Sequence, residues 1–505
     1  MKKPLRHIPA TMATQHPDHA GKPYWHDEPY IPTLKEAKEC FLCFKDLGLE
    51  EYMWDWEGKL VDESVLERII ADHYEYFKKH SLGKDKFLTF RLPNPKVQHE
   101  FRMSRALMGI LTAAGLAKQV NLHSPPVFEV ILPMTESAED LISIQEAFRE
   151  IACLRHPLNR MSSQCDMFLE IIPLFESVDI ISDSHKILEK YLKLYKQKFK
   201  SRPAYMRPFV ARSDPALNSG LVPTVLAIKI AFSRYEKFSR KFNIPLYPII
   251  GAAVLPFRGG ISPKTAENFA REYSGVRTIT IQSAGRYDFS SVEVKKSSAY
   301  LAKRLPKGKL RKIPEKEESR LAQAFLPFEQ FYKKTVEGIA PLINTVAPHM
   351  PKRRERVQHV GLFGYSRGSG KVRLPRAIGF TGILYSLGIP PELIGTGRGL
   401  KEAAEKGGLK LIEKYYLNLK EDLENAGAFL YKPGLMELAK KSAAWRGVWE
   451  DVQEIENYLL MELGPRTLEQ KAHYKLCEKL HKQLKAKKPL AHLIEKQALL
   501  RHSVG

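Results

Sequence analysis

Residues 127–134 read VFEVILPM and residues 168–175 read FLEIIPLF. Each run is short and almost wholly apolar, and each closes on polar residues, Thr135 and Glu136 after the first, Glu176 and Ser177 after the second. A strand buried on both faces reads this way, as strands do in a parallel sheet covered by helices. Similar runs lie on either side: HIPATMA (7–13), EYMWDW (51–56), KFLTFRLP (86–93), AYMRPFVA (204–211), YPIIGAAVLPF (247–257) and VRTITIQ (276–282). Their spacing of roughly 35–45 residues leaves room for one helix between neighbours. Stretches such as ESVLERIIADHYEYFKKH (63–80) and SHKILEKYLKLYKQKF (184–199) supply it, with apolar residues at i, i+3 and i+4. The pattern predicts an α/β fold, a (β/α)8 TIM-type barrel over residues 1–290 with many additional helices. The charged, proline-punctuated residues 291–320 read as a basic linker. Residues 321–505 read as a helical region packed on the barrel, which contributes a substrate-closing loop and the C-terminus.

Composition narrows the function classes. The chain has 505 residues, 44% hydrophobic and 27% charged, enough for a large core and too apolar for disorder. The basic start lacks a following apolar segment, and no apolar stretch is long enough to cross a bilayer, so a soluble cytoplasmic protein is expected. Five sparse cysteines read as reduced structural thiols. The net charge of +23 raises nucleic acid as a partner. Its lysine and arginine runs, KLYKQKFKSR, KRLPKGKLRK and PKRRER, read as solvated faces or linkers without a recognition motif, and no nucleic-acid partner is expected.

In a barrel of this kind chemistry collects where the strands end. Those positions hold His16, Asp55, Glu57, Arg91, Thr135, Glu136, Glu176, Asp214, Arg258 and Gln282. Glu176 in PLFES and Asp214 in ARSD are carboxylates on neighbouring strands, hard ligands that leave positions open and so suit magnesium or manganese. Ser213-Asp214-Pro215 reads equally as a helix start. VLPFRGG ends a strand on Arg258, Gly259 and Gly260, where backbone amides and a guanidinium can approach an anion. Arg91 adds a second guanidinium. In TQHPDH, Pro17 holds His16 in extended geometry; the motif by itself fits a metal site, an acid/base site or a plain loop. GYSRGSGKVRLPR (364–376) lacks the spacing and hydroxyl residue of a nucleotide loop. It reads instead as a mobile loop carrying Arg367, Arg373 and Arg376 toward an anionic substrate.

TQHPD, LTFR, IIPLFES, ARSDPALNSG, PFRGG and LPRAIGF occur in this order over nearly the whole chain. In this the sequence resembles the phosphoenolpyruvate carboxylases, and among them the short archaeal-type branch. The resemblance implies carboxylation of phosphoenolpyruvate by bicarbonate to oxaloacetate and phosphate, with Mg2+ or Mn2+, in a cytoplasmic homotetramer. It implies Glu176 and Asp214 as metal ligands, His16 as the catalytic histidine and Arg258 as the catalytic-loop arginine. Gly259 and Gly260 go with that loop as substrate-binding positions, and Arg91 and Arg376 as contacts to substrate anions. Asp18 and His19 are expected to support the loop. The chain departs from the family pattern in three places: FTGILYSLG lacks an arginine after the RAI segment, Lys264 stands where a second RGG would fall, and the last residues are RHSVG. Another barrel lyase acting on phosphoenolpyruvate or pyruvate, and a basic RNA-binding protein, are the competing readings.

Overall fold

The computed structural model describes residues 6–59, 61–96, 101–154, 166–355 and 372–505. Eight strands form a closed barrel in chain order: β1 (Thr11–Thr14), β2 (Glu51–Asp55), β3 (Phe87–Arg91), β4 (Glu129–Leu132), β5 (Glu170–Phe175), β6 (Phe209–Ala211), β7 (Ile249–Gly251) and β8 (Thr278–Ile281). Every neighbouring pair is parallel, and β8 closes on β1 through Thr11↔Ile279 and Ala13↔Ile281. Met12, Met53, Ile131, Ile172, Leu174, Phe209, Ala211 and Ile249 fill the interior. The outer strand faces join a larger core beneath the helices, which is why the strands read as continuous apolar runs rather than alternating ones.

The floor of the barrel is ionic. Arg207, fully buried, donates to Glu51 at 2.6 and 3.0 Å, to Glu129 at 2.6 Å and to Thr278 Oγ1 at 3.1 Å. Glu51, Glu129 and Thr278 are the first residues of β2, β4 and β8, at the face associated with stability rather than catalysis. A buried pair of this kind contributes little net energy when intact and costs several kcal/mol when one member is removed.

The segment expected as a linker begins as a helix, Ser291–Arg304, entered by a capping box between Ser290 and Glu293. Its charge is that of a solvated face, and the capping signature is the part the composition hid. The described residues beyond are mainly helical: Glu315–Val346 leads them, and GLKEAAEKGGLKLIEKYYLNLKEDLENAG divides at its glycines and turns into Thr396–Glu405, Leu409–Tyr415 and Leu419–Gly427. Among the described residues no single helix is long and apolar enough to cross a membrane. Cys40, Cys43 and Cys477 are free and buried, whereas Cys153 is disulfide-bonded, against the expectation of thiols throughout.

Candidate active site

A cavity of about 490 Å³ lies at the C-terminal mouth of the barrel. His16, Glu57, Arg91, Glu176, Asp214, Arg258 and Gln282 line it from the strand ends, and Arg376 from the helical region. Asp55, Thr135 and Glu136 stand at strand ends too but outside the lining. Thr135 caps its own strand, its hydroxyl donating to Leu132 O at 2.9 Å.

His16 follows β1, and its Nδ1 lies 2.9 Å from Thr14 Oγ1, which fixes the ring. Asp18 is buried and acts one step behind. Its Oδ1 accepts from Ser283 Oγ at 2.9 Å and Ala284 N at 2.8 Å, and its Oδ2 lies 3.2 Å from Arg258 Nη1. His19 bonds Ser283 Oγ at 3.0 Å and Pro29 O at 2.7 Å, and burial pushes its pKa down to about 3. His19 is therefore a neutral scaffold group, as expected, whereas Asp18 reaches beyond the loop to the arginine.

Arg258 closes a short 3-10 turn, Pro256–Arg258, after β7. Its guanidinium also donates to Ser213 Oγ at 3.1 Å, to Gln282 Oε1 at 2.5 Å and to the carbonyl of Gly505. Gly259 and Gly260, expected to bind substrate, are not among the residues that line the cavity. Their amides are already committed to Pro256 O at 2.9 Å and Leu255 O at 3.1 Å, closing the turn. What the turn needs from them is backbone freedom: φ is +131° and +78°, and a Cβ on Gly259 would stand 2.5 Å from the Ala252 Cβ.

The carboxylates sit opposite. Glu176 follows β5, and its Oε2 accepts from Met134 N at 2.6 Å. Asp214 lies in the first turn of helix Ser213–Ser219, as the helix-start reading expects, and also lines the cavity. Burial raises the pKa of each, and their neighbours add to it: Asp214 and Glu57 act on Glu176, and Glu57 acts on Asp214, where Arg376 and Arg91 oppose the rise. Negative charge is in excess at this wall. Arg91, the last residue of β3, grips Asp55 through Nε at 2.8 Å and Nη2 at 2.7 Å, and Glu57 through Nη1 at 2.9 Å. Two carboxylates already match its charge, so its first role here is to orient them.

Arg376 stands exposed at the entry to helix Ala377–Ser386 and supplies cationic charge over the cavity. Arg373 is exposed and outside the lining, and Arg367 lies outside the described residues. The PKRRER run, read as solvated, is the larger surprise. Arg353 and Arg354 are buried and line the cavity, Arg354 bonding Glu36 at 3.3 Å and Glu39 at 2.7 Å, while Arg353 donates to His19 O at 3.0 Å. Arg212 is a further lining residue that sequence reasoning passed over, although it stands inside the quoted ARSD. Only the fold tells these arginines from surface ones, because their partners, acids for Arg353 and Arg354 and the Pro256 carbonyl for Arg212, are remote in sequence.

The model of the family described as phosphoenolpyruvate carboxylase matches residues 8–505. A phosphoenolpyruvate carboxylase of Leuconostoc mesenteroides is 38% identical over 504 residues, covering 99% of both chains. That of Oenococcus oeni is 37% identical over 512 residues and covers 100% of each, and that of Metallosphaera sedula is 37% identical over 519 residues, covering 99% of this chain and 100% of its own. A match that runs the length of the barrel and of the helical region, and takes in every strand end that lines the cavity, leaves one conclusion: the chain belongs to the phosphoenolpyruvate carboxylase family.

Proposed function

We propose that this protein carboxylates phosphoenolpyruvate with bicarbonate, releasing oxaloacetate and inorganic phosphate. The observation that carries the reading is the convergence of His16, Arg258, Arg376 and the Glu176–Asp214 pair on one cavity, in a chain matched to that family end to end. The acidic wall fits a divalent cation. Two carboxylates whose pKa burial raises, with Asp214 adding to the rise of Glu176 and Glu57 to that of both, are relieved by positive charge, and two hard ligands with open positions suit Mg2+ or Mn2+. Glu176 and Asp214 would hold the ion, which when bound supplies charge to substrate oxygens.

The chain's own groups account for the remaining steps. Arg376 and Arg258 face the anionic groups of phosphoenolpyruvate, and Arg91 keeps Glu57 and Asp55 in place beside them. A bicarbonate oxygen forms a bond to phosphorus as the bond from phosphorus to the enol oxygen breaks, giving carboxyphosphate and the enolate of pyruvate. The arginines are set to stabilise charge on the moving phosphoryl group. His16 then accepts the carboxyphosphate proton, the C–O bond to phosphate breaks, and the enolate methylene carbon takes up the carbon dioxide released. Both intermediates react with water, so a substrate-closing loop contributed by a helical region of residues 321–505, packed on a barrel of residues 1–290, serves to exclude it. Assembly as a cytoplasmic homotetramer of the archaeal-type branch completes the reading, on the strength of the resemblance alone.

The test is oxaloacetate formation from phosphoenolpyruvate, with bicarbonate and divalent metal each left out in turn. Activity that needs both is expected. Turnover of phosphoenolpyruvate or pyruvate without bicarbonate would instead favour a barrel lyase.

A further inference from the structure

Around the Pro256–Arg258 turn lies a polar cluster that the proposed reaction does not use, with Glu392 behind the turn and Arg212 at the cavity wall. Glu392, fully buried in the short turn Pro391–Leu393 of the helical region, accepts from Phe257 N at 2.7 Å and from Tyr385 Oη at 2.7 Å, both on Oε1. From the barrel side Arg212, 1% exposed, donates through Nη2 to Pro256 O at 3.1 Å. Glu392 Oε2 and the Nε and Nη1 of Arg212 are buried and have no partner among the described residues.

Two consecutive residues just before Arg258 thus have their outward backbone groups held by ionisable side chains, one from each half of the protein. An amide oxygen or a backbone carbonyl would satisfy Phe257 N at a smaller desolvation cost than a carboxylate. Burial raises the pKa of Glu392 to about 7, against Tyr385, the Phe257 amide and Arg212, so the carboxyl group is held there at a cost. The turn's own backbone bonds leave the amide of Phe257 aside: they run from Arg258 N to Leu255 O and Gly259 N to Pro256 O, each 2.9 Å, from Gly260 N to Leu255 O at 3.1 Å, and from Ala253 N to Arg258 O at 2.9 Å.

We propose that Glu392 is a positioning residue: by clamping the amide of Phe257 it fixes the turn from which Arg258 enters the cavity, and so couples the helical region to the catalytic arginine. The inference rests on the carboxylase reading and on the place of Arg258 in it.

Steady-state oxaloacetate formation by wild type, Glu392→Asp, Glu392→Gln and Glu392→Ala tests it, with the melting transition of each recorded. Glu392→Asp keeps the charge but withdraws the oxygen by one methylene, and should lower kcat on the order of 10- to 100-fold with KM for phosphoenolpyruvate little changed. Glu392→Gln, which retains an acceptor oxygen for Phe257 N, should recover most of the loss. In an Arg258→Ala background, Glu392→Asp should add almost nothing, because the group it positions is gone. Fold losses that multiply in the double variant, or a Glu392→Asp enzyme with wild-type kcat, overturn the proposal. If Glu392→Ala does not fold, the Asp and Gln variants still decide. A folded wild type that makes no oxaloacetate overturns the carboxylase reading itself, an outcome distinct from an active wild type indifferent to Glu392.

Discussion

The division of labour around His16 rests on what each neighbour holds. Nδ1 meets Thr14 Oγ1 at 2.9 Å, Asp18 leans on Arg258, and His19 is kept neutral by burial. Of the two histidines in TQHPDH, only His16 lines the cavity. In the proposed sequence of steps it acts after phosphoryl transfer, which separates its loss from that of an arginine. His16→Ala should lower oxaloacetate formation by roughly 10²- to 10⁴-fold, the usual worth of a general base. Bicarbonate-dependent phosphate release should fall much less. The two rates, measured on one sample, decide the matter: parallel loss of both would move His16 to substrate binding or to the first step. Asp18→Asn makes the complementary case, because it weakens the hold on Arg258 while leaving His16 bonded to Thr14. It should depress both rates together, by on the order of tenfold for one charge-assisted bond.

At the scale of an element, the Pro256–Gly260 turn is the most constrained piece of the site. Gly259, read from the sequence as an anion-binding backbone, is in the fold a steric requirement as well: a methyl group there meets Ala252 at 2.5 Å while φ stays at +131°. Gly259→Ala should cost roughly 1–3 kcal/mol of stability and most of the activity, since the turn must move to relieve the clash and Arg258 moves with it. Gly407→Ala is the control. Gly407 also has positive φ, +70°, but a Cβ there finds nothing within 4 Å, so the backbone term alone remains, about 1–2 kcal/mol with activity unchanged. Denaturant midpoints and oxaloacetate rates of the two variants side by side check this. Equal behaviour would mean that the contact with Ala252 gives way at no cost and that the turn tolerates displacement.

For the whole molecule, the barrel was legible because a parallel strand covered on both faces must be apolar throughout and must turn polar where it ends. The runs from HIPATMA to VRTITIQ each contain an observed strand or its greater part, and their polar ends gave seven residues of the cavity lining. What stayed hidden depends on partners far along the chain. Arg354 and its acid Glu39 are more than three hundred positions apart, so PKRRER looked like a solvated run, and the capping box at Ser290 was lost in surrounding charge. The same long-range pairing sets how stability responds to pH. Glu129, in the barrel floor, is buried, but Arg6 and Arg207 outweigh burial and hold its pKa near 2. Its contribution is fully present above its ordinary value of about 4.5 and is lost as pH falls from there toward 2, on the order of 3 kcal/mol. Asp422 behaves in the opposite sense. Burial raises it to about 8, against its bond from Tyr416, with Glu272 and Glu392 adding to the rise. The folded protein therefore keeps a proton there that the unfolded chain gives up, and this contribution is lost as pH climbs from about 4 to 8. Without added divalent metal, the melting temperature should rise from pH 2 to a maximum near the ordinary carboxylate range and then decline toward pH 8. Glu129→Gln should flatten the acid limb alone, at a cost in stability near neutrality from unpaired Arg207. Asp422→Asn should lessen the decline between pH 4 and 8 and leave the acid limb unchanged; an undiminished decline would mean that Asp422 is ionised in the folded protein.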